Sequence, residues 1–429
     1  MNKTIVILFT TLIVYLNVSA STTDSIKVSK VKAEFSGFFR GDYWIDSRQV
    51  VDAVDGLFLL YPKSPDYDYN GKDINTAANV NCLAMATRIR TNVKMPDLFK
   101  AKSNIMIEAD FTGLSTSGTS TIVALRLRHA YSKLQWENSS LLFGLTWHPL
   151  FVQDVFPSVA SLNTGAPFQS FNRSPQITFQ QKLINGLTLS VSAINQSDSK
   201  SSGPIAEPGQ YSSTYLRNGL VPNLNTTLQL VNGPITIGGA FDLKSLRPRQ
   251  FVTSLEYPDR KYITTERINS YTYMLYAKYQ ASKFTIKAKG MLGQNLFEHL
   301  MLGGYAVRTL DSLSGKETYT PTNHLFLFGN ITYGKEFQVG LFVGYAKNLG
   351  TNDNFISPKD RIYARGMDIA YLYRISPVFT YVNDRFQIST EVEYTAAAYG
   401  KIDNLDKGKV TNTKISDNYR FLVVVQYSF

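Results

Sequence analysis

The sequence predicts an all-β protein, a transmembrane antiparallel β-barrel of sixteen strands. Three observations lead to this prediction. Tyr and Phe are abundant, with 26 of each in 429 residues, and both suit a pleated sheet and the aromatic girdles of a membrane barrel. Apolar and polar side chains alternate with a period of two in many segments. The connections between these segments alternate between short and long, as they do in outer-membrane barrels.

The first residues of the chain have the features of a secretory signal peptide. There is a positive charge at Lys3, an apolar run over residues 5–16, and a Val-Ser-Ala cleavage pattern that ends at Ala20. The run is too short for a membrane anchor and polar residues follow it. The expected divisions are a signal peptide at 1–20, a short periplasmic N-terminal segment at 21–32 and a β-barrel pore domain at 33–429.

The last strand shows the alternation most clearly. Its aromatic and aliphatic side chains share one face, apart from Leu422 and Val424, which fall on the polar face. The strand ends on Phe429, and such an aromatic ending resembles the signal that the barrel-assembly machinery recognises, so we expect that machinery as a partner. The predicted strands are 33–46, 80–95, 103–113, 121–137, 140–147, 174–183, 186–195, 222–232, 234–245, 269–282, 283–293, 321–334, 336–346, 363–382, 385–398 and 418–429.

The connections indicate which end of the barrel is which. The pairs Asn232-Gly233, Gly334-Lys335 and Asn383-Asp384 have the chemistry of two-residue hairpin turns. Outer-membrane barrels have short periplasmic turns and longer external loops, so the long connections are expected outside the cell and both termini in the periplasm. The long connections are 47–79, 148–173, 196–221, 246–268, 294–320, 347–362 and 399–417; the connection at 114–120 is brief.

The strand count predicts a function. A sheet in lipid must close on itself because its backbone donors have no water to bind. Sixteen strands enclose an aqueous channel, whereas eight would be filled by their own side chains. We therefore expect passive diffusion of small hydrophilic solutes across the bacterial outer membrane, with outer-membrane lipid around the barrel.

The third long connection, residues 148–173, differs from the others. It carries little charge and several apolar residues that would be unfavourable in water. We expect it to fold inward after strand five and to narrow the pore; packing against neighbouring external loops and a subunit contact are the alternatives. The residues assigned to this constriction are His148, Phe151, Asp154, Phe156, Asn163 and Phe168.

The parity of the alternation turns several charged side chains toward the lumen. Strands two to four contribute four Arg and two acidic residues, and neighbouring strands lie about 4.8 Å apart, so they form one patch. An excess of Arg would attract and orient anions; the alternative is that the charges merely neutralise each other on a wet wall. The pore-lining candidates are Arg40, Arg88, Arg90, Glu108, Asp110, Arg126, Arg128 and Arg173.

Three segments carry a resemblance to a known family: RLRHAYSKLQW at 126–136, LLFGLTWHPLF at 141–151 and FNRSPQITF at 171–179. They are similar to the DcaP-like outer-membrane porins, within a block that spans residues 122–182. The resemblance implies a homotrimer of sixteen-stranded barrels and a preference for dicarboxylates and other small anions. The Tyr- and Asn-rich external loops suggest a Bacteroidota-type relative. The helical N-terminal extension frequent in that family is not expected here.

Other functions find little support in the sequence. The formal net charge is +11, but export and the absence of a basic tract argue against nucleic acid. A single cysteine, Cys82, excludes an intramolecular disulfide and a multi-Cys metal site; we expect no metal and no cofactor. We also expect no enzyme, because the four histidines lie on scattered elements without a hydrolase motif. A structural or adhesive barrel without an open pore remains the alternative. These histidines are His129, His148, His299 and His324.

Overall fold

The computed structural model describes residues 31–117, 120–204, 211–356 and 361–429. The expected signal peptide lies outside the described residues. In chain order the strands are β1 (Lys32–Asp46), β2 (Val50–Ala53), β3 (Phe58–Pro62), β4 (Asn79–Leu83), β5 (Arg88–Leu98), β6 (Ala101–Ser117), β7 (Ser120–Gln135), β8 (Ser139–Trp147), β9 (Arg173–Ile184), β10 (Leu187–Ile194), β11 (Asn223–Asn232), β12 (Ile235–Leu246), β13 (Phe251–Thr253), β14 (Lys261–Ile263), β15 (Ile268–Gln280), β16 (Phe284–Gln294), β17 (Gly303–Leu310), β18 (Glu317–Gly334), β19 (Phe337–Thr351), β20 (Ile362–Arg365), β21 (Ile369–Asn383), β22 (Phe386–Asp403) and β23 (Lys409–Ser428).

These strands form a closed antiparallel barrel of sixteen, as the sequence predicts. Each barrel strand pairs with its neighbours in chain order, and β1 closes the ring by pairing with β23 on one side and with β4 and β5 on the other. β4 and β5 together make the second barrel strand. β2 with β3 and β13 with β14 are separate hairpins, whereas β17 and β20 extend the sheet beyond β18.

The two faces of each strand differ in the way that a barrel in lipid requires. In β15 the side chains of Tyr271, Tyr273 and Leu275 point outward and are exposed, while Thr272 and Met274 between them are buried. The same alternation recurs around the ring. The outer face is therefore a belt of aromatic and aliphatic side chains, which suits contact with lipid.

The connections divide between the two ends of the barrel as predicted. One end, the turn end, carries tight turns such as the one at Gly233, whose positive φ of 55° suits glycine. The other end, the loop end, carries the long connections. Among these lie one short α-helix, α1 (Thr214–Asn218), and the 3₁₀ turns Ile74–Thr76 and Phe297–His299. None of the helical segments in the described ranges has the length and apolar character needed to cross a membrane.

Some predicted boundaries are wrong. The connection 399–417 is not a long loop, because β22 and β23 continue their pairing and leave only residues 404–408 as a turn. The predicted strand 80–95 is interrupted at 84–87, and Met85 in this break is buried. The predicted strand 363–382 is two strands, of which β20 pairs with β17. Alternation marks the lipid-crossing part of a strand; beyond the lipid the pattern relaxes while backbone pairing continues.

A hydrophobic cluster lies inside the barrel as well as outside it. Phe326, Phe342, Leu422 and Val424 project inward from the wall and are buried. Leu422 and Val424 are the two apolar residues on the polar face of the last strand, and they are apolar because they pack in this interior cluster. The same cluster contains apolar residues of the first and third long loops. The lumen of this barrel is therefore partly filled by its own loops.

Candidate functional site

The third long loop, residues 148–172, contacts the inner wall far from the strand where it begins. It leaves β8, the fifth strand of the ring, and reaches β21, the fourteenth. There Arg374 donates from Nη1 to the carbonyl of Ala166 at 3.0 Å. On the way, Lys287 of β16 donates to the carbonyl of Phe156 at 2.9 Å, and Arg40 of β1 donates to that of Ala160 at 2.7 Å.

The middle of this loop is held by two acidic residues of β22. The backbone N–H of Ser161 donates to Glu391 at 2.8 Å, and the amide of Asn163 donates to Glu393 at 2.9 Å. Arg374 lies 3.1 Å from the same Glu393 carboxylate. All of these groups are buried. The contact between Arg374 and Glu393 is charge-assisted, which is the stronger kind, so the loop is fixed at its middle as well as at its ends.

One glycine of the wall makes room for the loop. A Cβ added to Gly344 of β19 would lie 2.4 Å from the ring of Phe168, which is closer than any real contact. Phe168 is buried and its ring lies 6.1 Å from that of Phe342. Glycine in a strand interior often marks a close approach of this kind. Gly344 therefore determines where the end of the loop rests.

Aromatic rings close the base of the same loop. Phe151 stacks on Trp147 with 3.8 Å between ring centroids. Phe171 meets Trp147 edge-on at 5.0 Å and Phe58 of the first long loop at 4.7 Å. Phe156, by contrast, is 38% exposed, and Asp154 is exposed and accepts a hydrogen bond from Gln229 at 3.2 Å. The six residues predicted for the constriction thus divide into buried anchors and two exposed groups.

The first long loop also packs against the inner wall, and its prediction as an external loop is wrong in this part. The strand β3 of its hairpin is fully buried. The carbonyl of Leu59 accepts from Arg374 at 2.8 Å, that of Pro62 from the Tyr399 hydroxyl at 2.7 Å, and that of Gly56 from Arg420 at 2.9 Å. The sequence does contain an indication that this loop is buried. It is the apolar run Leu-Phe-Leu-Leu-Tyr at 57–61, which is unfavourable in a solvated loop.

Two histidines that the sequence placed on separate elements lie together at the base of the third loop. The rings of His148 and His299 are 4.7 Å apart, and Ser170 lies 2.6 Å from Nδ1 of His299. Burial lowers the pKa of His148 to about 4, so this ring is neutral near pH 7. Nε2 of His148 lies 3.0 Å from Asn223. The cluster joins both ends of the third loop to the segment after β16 and is closed to solvent.

The predicted charged patch on strands two to four is present. Glu108 and Asp110 are buried and point into a set of four arginines. The pairs are Arg90 to Glu108 at 2.5 Å, Arg128 to Glu108 at 2.8 Å and to Asp110 at 2.9 Å, Arg126 to Asp110 at 2.9 Å, and Arg88 to Glu108 at 3.6 Å. Four cations against two anions leave two positive charges in excess.

A β-bulge concentrates this patch. The pairing of β6 with β7 shifts register beside Glu108, and as a result Arg128 and its chain neighbour His129 are both buried although neighbours in a regular strand face opposite sides. The remaining arginines reach the lumen to different degrees. The side chain of Arg90 is 45% exposed and that of Arg126 is 22% exposed, against 3% for Arg128.

Arg173 lies beside this patch with little to neutralise it. It is the first residue of β9 instead of the last of the loop, and it is 2% exposed. Its guanidinium lies over the Trp147 ring at 4.8 Å and 3.8 Å from Asp198. Its Nε and Nη1 atoms have no hydrogen-bond partner among the described residues. An unpaired buried donor is costly, so these two donors give Arg173 unused hydrogen-bonding capacity behind the patch.

Two cavities flank the buried interior. One, of about 430 Å³, opens toward the loop end beside Trp44, Asp52, Lys63 and Arg420. The other, of about 480 Å³, lies against the inner faces of β7 to β11. Within the described ranges, no three His, Cys, Asp or Glu side chains are grouped so that they could share a metal ion.

No protein-family model matches the sequence, and no curated protein resembles it at a significant level. Solved structures of outer-membrane channels do resemble the fold. The outer-membrane channel DcaP of Acinetobacter baumannii superimposes with a TM-score of 0.65 at 16% identity, over 93% of this chain and 97% of that chain. An anion-selective porin from Comamonas acidovorans gives 0.52 at 9%, over 93% and 100%. The trimer form of OmpT, an outer-membrane protein of Vibrio cholerae, gives 0.51 at 8%, over 94% and 100%. At these identities the likeness concerns the fold.

Proposed function

We propose that the chain is an outer-membrane porin through which small hydrophilic solutes diffuse passively, with a preference for anions such as dicarboxylates. The closed ring of sixteen strands and its apolar outer belt support placement in the outer membrane. A ring of this size is wide enough for an aqueous path. The third loop narrows that path, because its contacts run from the fifth strand to the fourteenth.

The observation that carries the anion preference is the surplus of arginine. The patch around Glu108 and Asp110 keeps two positive charges in excess. Beside it, Arg173 pairs with Asp198 and has two donors without a partner among the described residues. Fixed positive charge in a water-filled passage raises the local concentration of anions. The planar guanidinium also binds carboxylate through two parallel hydrogen bonds. A dicarboxylate that passes the patch engages the more exposed Arg90 and Arg126.

The assembly is part of the same proposal. The trimer form of the Vibrio cholerae protein supports a homotrimer for this chain. Residues 1–20 serve as the signal peptide, and Phe429 at the end of the last strand is recognised by the barrel-assembly machinery. The relation to the DcaP-like family rests on the sequence segments between 122 and 182 and on the shared fold.

The test is ion selectivity in planar bilayers. Arg173→Gln removes a cation, and the one carboxylate that loses its ion-pair partner, Asp198, is 34% exposed, so we expect the barrel to fold and its anion-over-cation permeability ratio to fall. The reversal potential in a potassium chloride gradient measures this ratio. Arg308→Gln is the matched control, because Arg308 is 52% exposed on β17, away from the patch. Equal reversal potentials for Arg173→Gln and the wild type would contradict the anion preference.

A second candidate function is a structural or adhesive barrel without an open pore. The observation that favours it is the apolar cluster inside the barrel, to which the first and third loops contribute. The same bilayer experiment separates the two functions. Discrete conductance steps support the porin, and their absence from protein that has inserted and migrates as a folded barrel supports the structural role.

A further inference from the structure

The cavity of about 480 Å³ lies between the third loop and the tight turns of the turn end. Its lining includes Gln180, Thr188 and Lys133, which are within a few residues of the tight turns, and Pro149 and Val152 of the third loop. Its volume is in the range of pockets for small ligands, about 300–1,000 Å³. It is a pocket at the turn end of the proposed path.

The wall of this cavity is a grid of uncharged hydrogen-bonding side chains. Thr178 of β9 lies directly opposite Ser192 of β10, with 2.8 Å between their hydroxyl oxygens. One step further, Gln180 lies opposite Ser190 and donates to it at 3.2 Å. The Gln180 carbonyl oxygen accepts from Ser140 at 3.0 Å. These contacts use one of the two N–H donors of the Gln180 amide, so one donor is left for a solute.

The same grid continues across the loop and the adjacent wall. The amide of Gln229 donates to Asp154 and accepts from the Tyr276 hydroxyl at 2.8 Å. Asp154 is the lone carboxylate of the lining, and Lys133 is its one cation. Their charges are opposite, so this cavity has no surplus comparable to that of the arginine patch. An anion bound here would have Lys133 as its one positively charged contact. A neutral solute would have the hydrogen-bond donors and acceptors of the Ser, Thr and Gln side chains along the wall.

From this lining we infer that the cavity binds a neutral, hydroxyl-rich solute of the size of a mono- or disaccharide. This inference rests on the proposed channel function and adds a second class of solute to it. Hydroxyl groups of a sugar both donate and accept, as the Ser, Thr and Gln side chains of the wall do. The half-buried rings of Tyr131 and Trp147 supply apolar surface for the C–H face of the sugar.

Isothermal titration calorimetry of the purified protein with maltose tests the inference. The double variant Gln180→Leu, Thr188→Val keeps the shape of the wall and removes its polar groups, so the dissociation constant for maltose should rise by at least about ten-fold. The control is Thr332→Val on β18, which lies outside the lining and whose buried hydroxyl has no partner among the described residues; it should bind as the wild type does. Should the double variant not fold, Thr188→Val alone should still weaken binding.

Planar bilayers separate this inference from the function it rests on. Maltose added to the wild-type channel should interrupt the current, and the double variant should lose these interruptions while keeping its reversal potential. Absence of binding to a conducting wild-type protein, or equal binding by the double variant, would overturn the saccharide site alone. Binding of maltose by a protein that never conducts would overturn the channel and leave the site in place.

Discussion

At the scale of single residues, the stability of the inner wall depends on ion pairs between buried carboxylates and arginines. Glu108 and Asp110 are almost fully buried, and Arg128 is the side chain that binds both of them. A buried charge that loses its partner is strongly destabilising, even where the intact pair contributes little. Arg128 therefore supports the wall, while the more exposed Arg90 and Arg126 are free to face solutes.

Replacement of this shared partner gives a prediction of stability. Arg128→Met should lower the free energy of unfolding by about 2–3 kcal/mol, because each carboxylate keeps at least one other arginine. Guanidinium unfolding of the detergent-solubilised barrel measures it. The exposed Arg308→Met should change the free energy by less than about 0.5 kcal/mol. If Arg128→Met also changed the free energy of unfolding by less than about 0.5 kcal/mol, the other arginines alone would be sufficient to stabilise the buried Glu108 and Asp110.

The sequence could predict this patch because strand parity is a local property. Parity turned Arg88, Arg90 and Arg126 inward, and the structure places them together. It could not show that Arg173 lacks hydrogen-bond partners or that His148 meets His299, since those facts depend on contacts between loops far apart in the chain. Contacts across the barrel interior produce no periodic pattern in the sequence.

At the scale of elements, the third loop is positioned by complementary shapes as well as by charge. Its end carries Phe168, and the wall opposite offers Gly344, where no side chain occupies the space. Packed interiors tolerate little added volume. The position of this ring therefore controls how far the loop extends into the lumen.

A single methyl group should move the end of this loop. Gly344→Ala would place its Cβ against Phe168, so the ring must shift and the single-channel conductance should change from the wild-type value. Gly329→Ala is the control, because a Cβ at Gly329 meets no atom within 4 Å; its conductance should stay as in the wild type. Phe168→Ala combined with Gly344→Ala should relieve the crowding. A Gly344→Ala channel that conducts like Gly329→Ala would refute this role of the glycine.

The loops also show where element-level prediction from sequence ends. Low charge and apolar content identified residues 148–173 as unusual, and in the structure this loop contacts the inner wall. The same criterion, applied to residues 57–61, would have identified the first loop as well. Strand extension beyond the lipid, as in β22 and β23, could not be read from alternation, because outside the membrane neither face must be apolar.

At the scale of the whole molecule, the barrel is closed by its two terminal strands. Gly37 of β1 and Phe429 after β23 exchange two backbone hydrogen bonds, of 3.1 and 3.0 Å. A Cβ on Gly37 would lie 2.7 Å from the Phe429 ring. The strand number and the closure were predictable from the count of alternating segments, because a sheet in lipid has no stable open edge.

The proposed recognition of the chain end gives a prediction about assembly. Phe429→Ala should reduce the amount of protein in the outer membrane of cells several-fold, while refolding of the purified chain in detergent should be unchanged. Phe337→Ala is the matched control, since Phe337 is an equally exposed aromatic residue at the turn end. Immunoblots of outer-membrane fractions measure the amount. Equal amounts for the two variants would argue that the terminal aromatic is not a recognition signal.

Arg374 joins the early and late parts of the chain, and this has a consequence for biogenesis. Its guanidinium binds the carbonyls of Leu59 and Ala166, which are 315 and 208 positions away in the chain. Contacts of such large sequence separation form slowly. The interior can therefore be completed only after the fourteenth strand has joined the sheet, and until then Phe168, over which the Arg374 guanidinium lies, is exposed to water and to other unfinished chains.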